Sequence, residues 1–171
     1  MRLGLLSDTH GRADAARAAV SLLVERLKVD YLLHCGDVGS TAVIDALVGD
    51  VPAAVVWGNT DSDFRTLARY ATRVGVGHDH PALRLKFDGA GPAERDVRIC
   101  LTHGDDGTIV RDVVEQRQAD YLFVGHTHAA ADDEWNGVRV VNPGALHRAA
   151  RKTVATVDLS TGEVLHHDVA L

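Results

Sequence analysis

An α/β fold with a largely parallel sheet, joined by a second sheet packed face to face with it, is what this sequence predicts. Two observations lead there. Strand, polar loop and helix recur as a unit from Leu3 to Tyr70, and the tail after Val138 turns into β-like segments without helices between them. In the first unit, Leu3-Gly4-Leu5-Leu6 runs into Ser7-Asp8-Thr9-His10-Gly11, after which apolar residues recur at helical spacing through Ala16, Val20, Leu23 and Leu27. In the second, Tyr31 to Cys35 leads to Gly36-Asp37-Val38-Gly39-Ser40, where Ser40 is placed to cap a helix covering Val43, Ile44 and Leu47. In the third, Ala53 to Trp57 leads to Gly58-Asn59-Thr60-Asp61 and a short helix around Phe64 to Tyr70. The glycine- and proline-rich stretch from Arg73 to Arg95 reads as a surface excursion, within which Ala82 to Phe87 alternates like a half-exposed strand. Val97 to Leu101 and Tyr121 to Val124 are further strands, ending in Thr102-His103-Gly104 and Gly125-His126-Thr127-His128, with a helix around Ile109 to Val114 between them. Val138 to Val141, Thr153 to Val157 and Val164 to Val169 should pair as antiparallel strands.

The 171 residues suit one domain, 1–171, and a chain of this length buries roughly 70 % of its unfolded surface. Hydrophobic residues at 46 % and charged residues at 25 % exclude a disordered or fibrous protein. A net charge of −6 excludes a surface built to neutralise a long run of nucleic-acid phosphates. Cys35 and Cys100 are too few for a disulfide framework or a cysteine zinc module. The apolar run that opens the chain stops at Ser7, short of a signal-peptide core or a membrane span, so a cytoplasmic location without membrane association is expected.

Ten histidines are present, and their positions carry the chemistry. Five loops that follow strands hold groups able to ligate a borderline or hard metal: Asp8 and His10, Asp37, Asn59, His103, then His126 and His128. In α/β sheets ligands gather beyond the carboxyl ends of strands, so these loops can converge on one crevice. Seven oxygen and nitrogen donors exceed the four of a tetrahedral zinc. With Asp37 as a bridge they suit two divalent ions roughly 3.5 to 4 Å apart, the arrangement of a dinuclear hydrolase. Two such ions outweigh the charges of Asp8 and Asp37, so an acidic protein can still hold a phosphate ester. Histidine and carboxylate donors without thiolate suit Mn, Fe, Co, Ni or Zn, with manganese taken first.

The ordered set Asp8-Thr9-His10, Gly36-Asp37, Gly58-Asn59-Thr60-Asp61, His103-Gly104 and Gly125-His126-Thr127-His128 resembles the motifs of the calcineurin-like metallophosphoesterases. Size, Ser7 to Gly11 and Asn142-Pro143-Gly144 look like the small phosphodiesterase subfamily of bacteria and archaea. The resemblance implies a four-layer α/β/β/α sandwich of two mixed sheets flanked by helices. It also implies one metal on Asp8, His10, Asp37 and His128 and another on Asp37, Asn59, His103 and His126. A hydroxide held by both ions would attack the phosphorus of a small phosphate ester, with Asp37, Asn59 and His103 acting through the metals. Self-association into a homo-oligomer is common among such relatives. Where many members carry the leaving-group acid as a histidine, this chain has Thr60, a hydroxyl of too high a pKa to serve near neutrality, so diesters are favoured over monoesters. His80 and His147 are the remaining candidates for that proton. The alternative reading is a non-catalytic scaffold, as in the retromer subunit of this fold, whose site is degraded; here all seven ligands stand.

Among the other singled-out residues, His78-Asp79-His80 reads as a solvated loop, His34 and Cys35 as packing or supporting residues, and His166 and His167 as lying on opposite sheet faces. Arg12 reads as a surface arginine within reach of phosphate, and Asp61 as a cap of the following helix.

Overall fold

The computed structural model describes residues 1–170. The chain runs β1 (Arg2–Leu6), α1 (Ala13–Ser21) with a π-helical turn over Leu22–Arg26, β2 (Tyr31–His34), α2 (Thr41–Leu47), β3 (Ala53–Val56), α3 (Phe64–Val74), β4 (Gly77–Asp79) and β5 (Ala82–Phe87). Then come β6 (Val97–Thr102), α4 (Gly107–Glu115), β7 (Tyr121–Phe123), β8 (Ala131–Trp135), β9 (Val138–Asn142), β10 (Thr153–Asp158) and β11 (Val164–Asp168). One sheet has the order β11-β10-β1-β2-β3-β4 and the other β5-β6-β7-β9-β8. Strands β1 to β4 are parallel and β10 and β11 antiparallel, while β6, β7 and β9 are parallel and β5 and β8 antiparallel.

Alternation along each strand builds the layers. Leu3, Leu5, Leu33, Val56 and Val157 of the first sheet meet Ile99, Leu101, Phe123 and Val141 of the second in a core between the sheets. The opposite faces of those strands, with Leu6, Leu32 and Val55, pack under Ala15, Ala19, Ile44, Leu47 and Leu67 of the first three helices. Cys100, Leu122 and Val140 pack under Val113 of α4. The result is the four-layer α/β/β/α sandwich.

Four expectations need correction. Arg73 to Arg95 is not only a surface excursion: β4 closes one sheet and β5 opens the other, so this segment carries the chain between sheets. Strand β9 does not join an antiparallel tail but pairs parallel with β7, because the second sheet offers it the free side of that strand. Strand β8 was not foreseen. Ser40 does not cap α2, since its buried hydroxyl has no hydrogen-bond partner, whereas Asp106 does cap α4, accepting from the Thr108 N–H at 2.9 Å.

Candidate metal centre

All seven metal-ligand candidates sit on loops that leave the carboxyl ends of β1, β2, β3, β6 and β7. The loops turn abruptly there: Asp8, His10, Asp37, His126 and His128 all have left-handed backbone, with φ from 46° to 67°. Such conformations cost non-glycine residues of order 1 kcal/mol each and persist only where the surroundings impose them. Close approach explains two of the glycines beside them. A Cβ on Gly58 would collide with the Asp37 carboxylate, and one on Gly125 with Ser7 Oγ and Asp8 Oδ2.

The donors form two adjoining groups. In one, Nε2 of His128 lies 3.1 Å from Asp8 Oδ1 and 3.4 Å from Nε2 of His10. In the other, Asn59 Oδ1 stands 3.1 Å from His103 Nε2 and 3.2 Å from His126 Nδ1. Asp37 lies between them, with Oδ2 3.6 Å from His10 Nε2 and Oδ1 3.5 Å from His103 Nε2. The ligand atoms of Asp8, His10 and His128 fall within 4.8 Å of one another, as do those of Asp8, Asp37 and His103.

These residues fit divalent metal ions on one observation above all: Asp8 Oδ1 is buried and has no hydrogen-bond partner. A buried carboxylate oxygen left so is costly, and His128 Nε2, although 3.1 Å away, lacks the alignment of a hydrogen bond. Its other oxygen is fully engaged, accepting from Ser7 Oγ at 2.6 Å and from the His126 N–H at 3.2 Å. The carboxylate is thus held so that one oxygen points at the space it shares with two imidazoles.

Supporting hydrogen bonds set the direction of the remaining donors. His103 Nδ1 donates to the Cys35 carbonyl at 2.8 Å, which turns Nε2 toward the centre. Burial by itself would push the His103 imidazole down, but Asp37, the Cys35 carbonyl and Asp8 outweigh it and raise its pKa. Burial would likewise push the Asp37 carboxyl up, yet His103 and the Thr60 N–H at 2.9 Å hold it below the usual carboxylate range. Each thus favours its charged form beside the other. His34, wholly buried, is held down at about 3 by burial and by the neighbouring His103, and so stays neutral. It contacts Thr9 Oγ1 at 3.0 Å and accepts from the Gly36 N–H at 3.2 Å, supporting the Asp8 and Asp37 loops.

Asp61 is not a helix cap. Its carboxylate accepts from the N–H groups of Val38 at 3.1 Å, Gly39 at 2.7 Å and Gly58 at 2.9 Å, tying the Asp37 loop to the Asn59 loop. Reading the sequence also missed Asn142 as a support. Its Nδ2 donates to the Gly125 carbonyl at 2.7 Å and to Thr127 Oγ1 at 3.0 Å, holding the loop of His126 and His128. His166 Nε2, 2.8 Å from the Asn142 carbonyl, extends that support. The only signal for Asn142 was the Asn-Pro-Gly sequence, which reads equally as a plain turn.

The outlying candidates separate. Thr60 Oγ1 lies 3.4 Å from His10 Nδ1, at the rim of the centre. The His147 ring meets the His10 ring edge-on, with centroids 5.7 Å apart. His80 stacks on Phe64 at 4.7 Å and His78 bonds Thr72 Oγ1 at 2.9 Å, so neither shares a hydrogen bond with the centre among the described residues. Arg12 forms an exposed bidentate pair with Asp14, at 2.6 and 3.0 Å. No helix of the described residues is long and apolar enough to cross a membrane.

Known proteins share both the sequence and the fold. A phosphodiesterase of Methanocaldococcus jannaschii is 25 % identical over 145 residues, covering 84 % of this chain and 83 % of that protein. An archaeal phosphodiesterase of solved structure superposes with a TM-score of 0.84 at 22 % identity, over 99 % of this chain and 100 % of the other. Vps29 of Chaetomium thermophilum superposes at 0.67 with 16 % identity, over 99 % of this chain and 97 % of that one. The sequence model of the calcineurin-like phosphoesterase superfamily domain matches residues 1–162, and the chain belongs to that superfamily.

Proposed function

We propose that this metallophosphoesterase is a phosphodiesterase of small phosphodiesters, with Asp8, His10, Asp37 and His128 holding one divalent ion and Asp37, Asn59, His103 and His126 a second. The observation that carries the proposal is the position of Asp37, whose two oxygens face opposite groups of donors, at 3.6 Å from His10 and 3.5 Å from His103. Metal ions held there would supply positive charge for the phosphate oxygens and lower the pKa of attacking water. Asp37 orients both donor groups, and Asn59 and His103 direct their oxygen and nitrogen into the second. Manganese is first among the transition metals suited to these donors. The proposal extends to one catalytic domain over residues 1–171, working in the cytoplasm as a homo-oligomer.

The preference for diesters rests on Thr60. A hydroxyl at that position cannot hand a proton to a departing alcohol near neutral pH, so turnover should favour esters whose alcohol or phenol leaves unaided. The name of the archaeal relative agrees with this reading. The test is a panel of phosphomonoesters and phosphodiesters of graded leaving-group acidity given to the metal-loaded protein. Aryl phosphodiesters turned over well and alkyl phosphomonoesters turned over poorly are expected. Monoesters preferred throughout would overturn the assignment, and absence of both metal and turnover would favour the scaffold.

A further inference from the structure

A cavity of about 390 Å³ opens beside the metal centre, with His128 as one wall. Its other walls are Ala129 and Ala130 on the loop after β7, Arg148, Ala149, Ala150 and Arg151 on the loop between β9 and β10, and Thr153 at the start of β10. The volume suits a small organic group. Four of the eight lining residues are alanines, so much of its wall is small and apolar. The two cations differ. Arg151 is engaged with both oxygens of Asp168, at 2.9 and 3.0 Å. Arg148 is exposed and belongs to none of the ion pairs or side-chain hydrogen bonds of the described residues. It is nevertheless held in left-handed backbone, with φ 54°, a conformation it shares with the metal-ligand candidates. His147, immediately before it, lies against the ring of His10 and so places Arg148 next in sequence to a residue at the edge of the centre.

We propose that this cavity receives the organic arm of the substrate and that Arg148 binds a second anionic group on that arm, so that the substrates are phosphoesters carrying a further phosphate. The proposal rests on the phosphodiesterase reading for which phosphate lies at the metals. A guanidinium without a carboxylate partner presents a planar fork of donors matched to phosphate oxygens, and such charge-assisted contacts are the stronger hydrogen bonds. An uncharged arm would leave that fork to water alone.

Equilibrium binding tests this apart from turnover. Adenosine 5′-monophosphate and adenosine 3′,5′-bisphosphate would be titrated into the manganese-loaded protein, its Arg148→Gln variant and its Ala150→Leu variant. The wild type should bind the bisphosphate about tenfold more tightly, on the scale of one charge-assisted phosphate contact. Arg148→Gln should bring that ratio near one, and Ala150→Leu, which narrows the cavity without altering its charge, should weaken both ligands. A wild type with equal affinities, a glutamine variant that keeps the preference, or a leucine variant that binds both ligands unchanged would overturn the proposal. Failure to hydrolyse any phosphodiester would instead strike the phosphodiesterase reading and leave these ratios readable.

Discussion

Replacing Asp61 with alanine removes the acceptor of three backbone N–H groups and should loosen the two loops that carry Asp37 and Asn59. The carboxylate is 4 % exposed, and its bonds to Val38 and Gly58 are buried while that to Gly39 is partly buried. A buried donor left without a partner costs about 1–3 kcal/mol, and the Gly39 donor can reach water. Two full penalties and a small third give about 2–6 kcal/mol, a large share of the roughly 5–15 kcal/mol that holds a domain folded. In a chain of this size that loss lowers Tm by about 4–24 °C. The assay is urea or thermal unfolding of the chelated protein, so that metal binding does not mask the loss, followed by metal titration of the folded variant. Asp61→Asn should lose less, because its amide oxygen can keep the buried Val38 and Gly58 N–H groups, which share one carboxylate oxygen, and only the partly buried Gly39 N–H would then face amide hydrogens. An alanine variant within about 0.5 kcal/mol of wild type, with unchanged metal affinity, would refute the clamp.

Asp37→Ala should abolish retention of metal at both positions and all hydrolysis, checked by metal analysis of the purified variant; full activity with metal retained would contradict the bridging role. Thr60→His should raise the rate for poor leaving groups by about 10²-fold or more and flatten the dependence on leaving-group pKa, because a positioned acid contributes on that scale. His34 gives a pH signature. Its folded pKa of about 3 lies below the unfolded value near 6.5, so the unfolded chain takes up a proton that the folded one refuses. The metal-free protein should therefore lose up to about 1.4 kcal/mol per pH unit below roughly pH 6.5 on this account, and His34→Gln should remove that part of the slope in unfolding titrations. His103 acts with the opposite sign: its raised pKa adds stability that is present below about pH 6.5 and fades as pH rises through the folded value.

The centre was legible because its chemistry is written in residues that few other roles would place together after five successive strands. Asp8, His10, Asp37, Asn59, His103, His126 and His128 meet where the strand ends put them. What stayed illegible depends on contacts across the chain. Strand β8, Ala-Asp-Asp-Glu-Trp, is an exposed edge with three successive acidic residues, one of them paired with Arg139 of β9, so it has no apolar alternation to announce it. Strand β4 is three residues long and takes its form from pairing with β3. The antiparallel expectation for β9 followed from its neighbours in sequence, whereas its partner β7 lies on the far side of β8 in chain order. Asp61 and Ser40 show the same limit at single residues. Both precede a helix and look like caps, but Asp61 is turned toward backbone N–H groups of the Asp37 loop and of Gly58 in its own loop, and Ser40 finds no donor or acceptor.

The central claim is tested most directly by measuring bound metal and phosphodiester hydrolysis on the same samples. The protein would be stripped with a chelator, reloaded stepwise with manganese, and analysed for metal per chain alongside its rate on an aryl phosphodiester. Two divalent ions per chain are expected, with hydrolysis absent from the stripped protein and restored as occupancy approaches that value. Full hydrolysis by the stripped protein, or saturation at a single ion, would contradict the account.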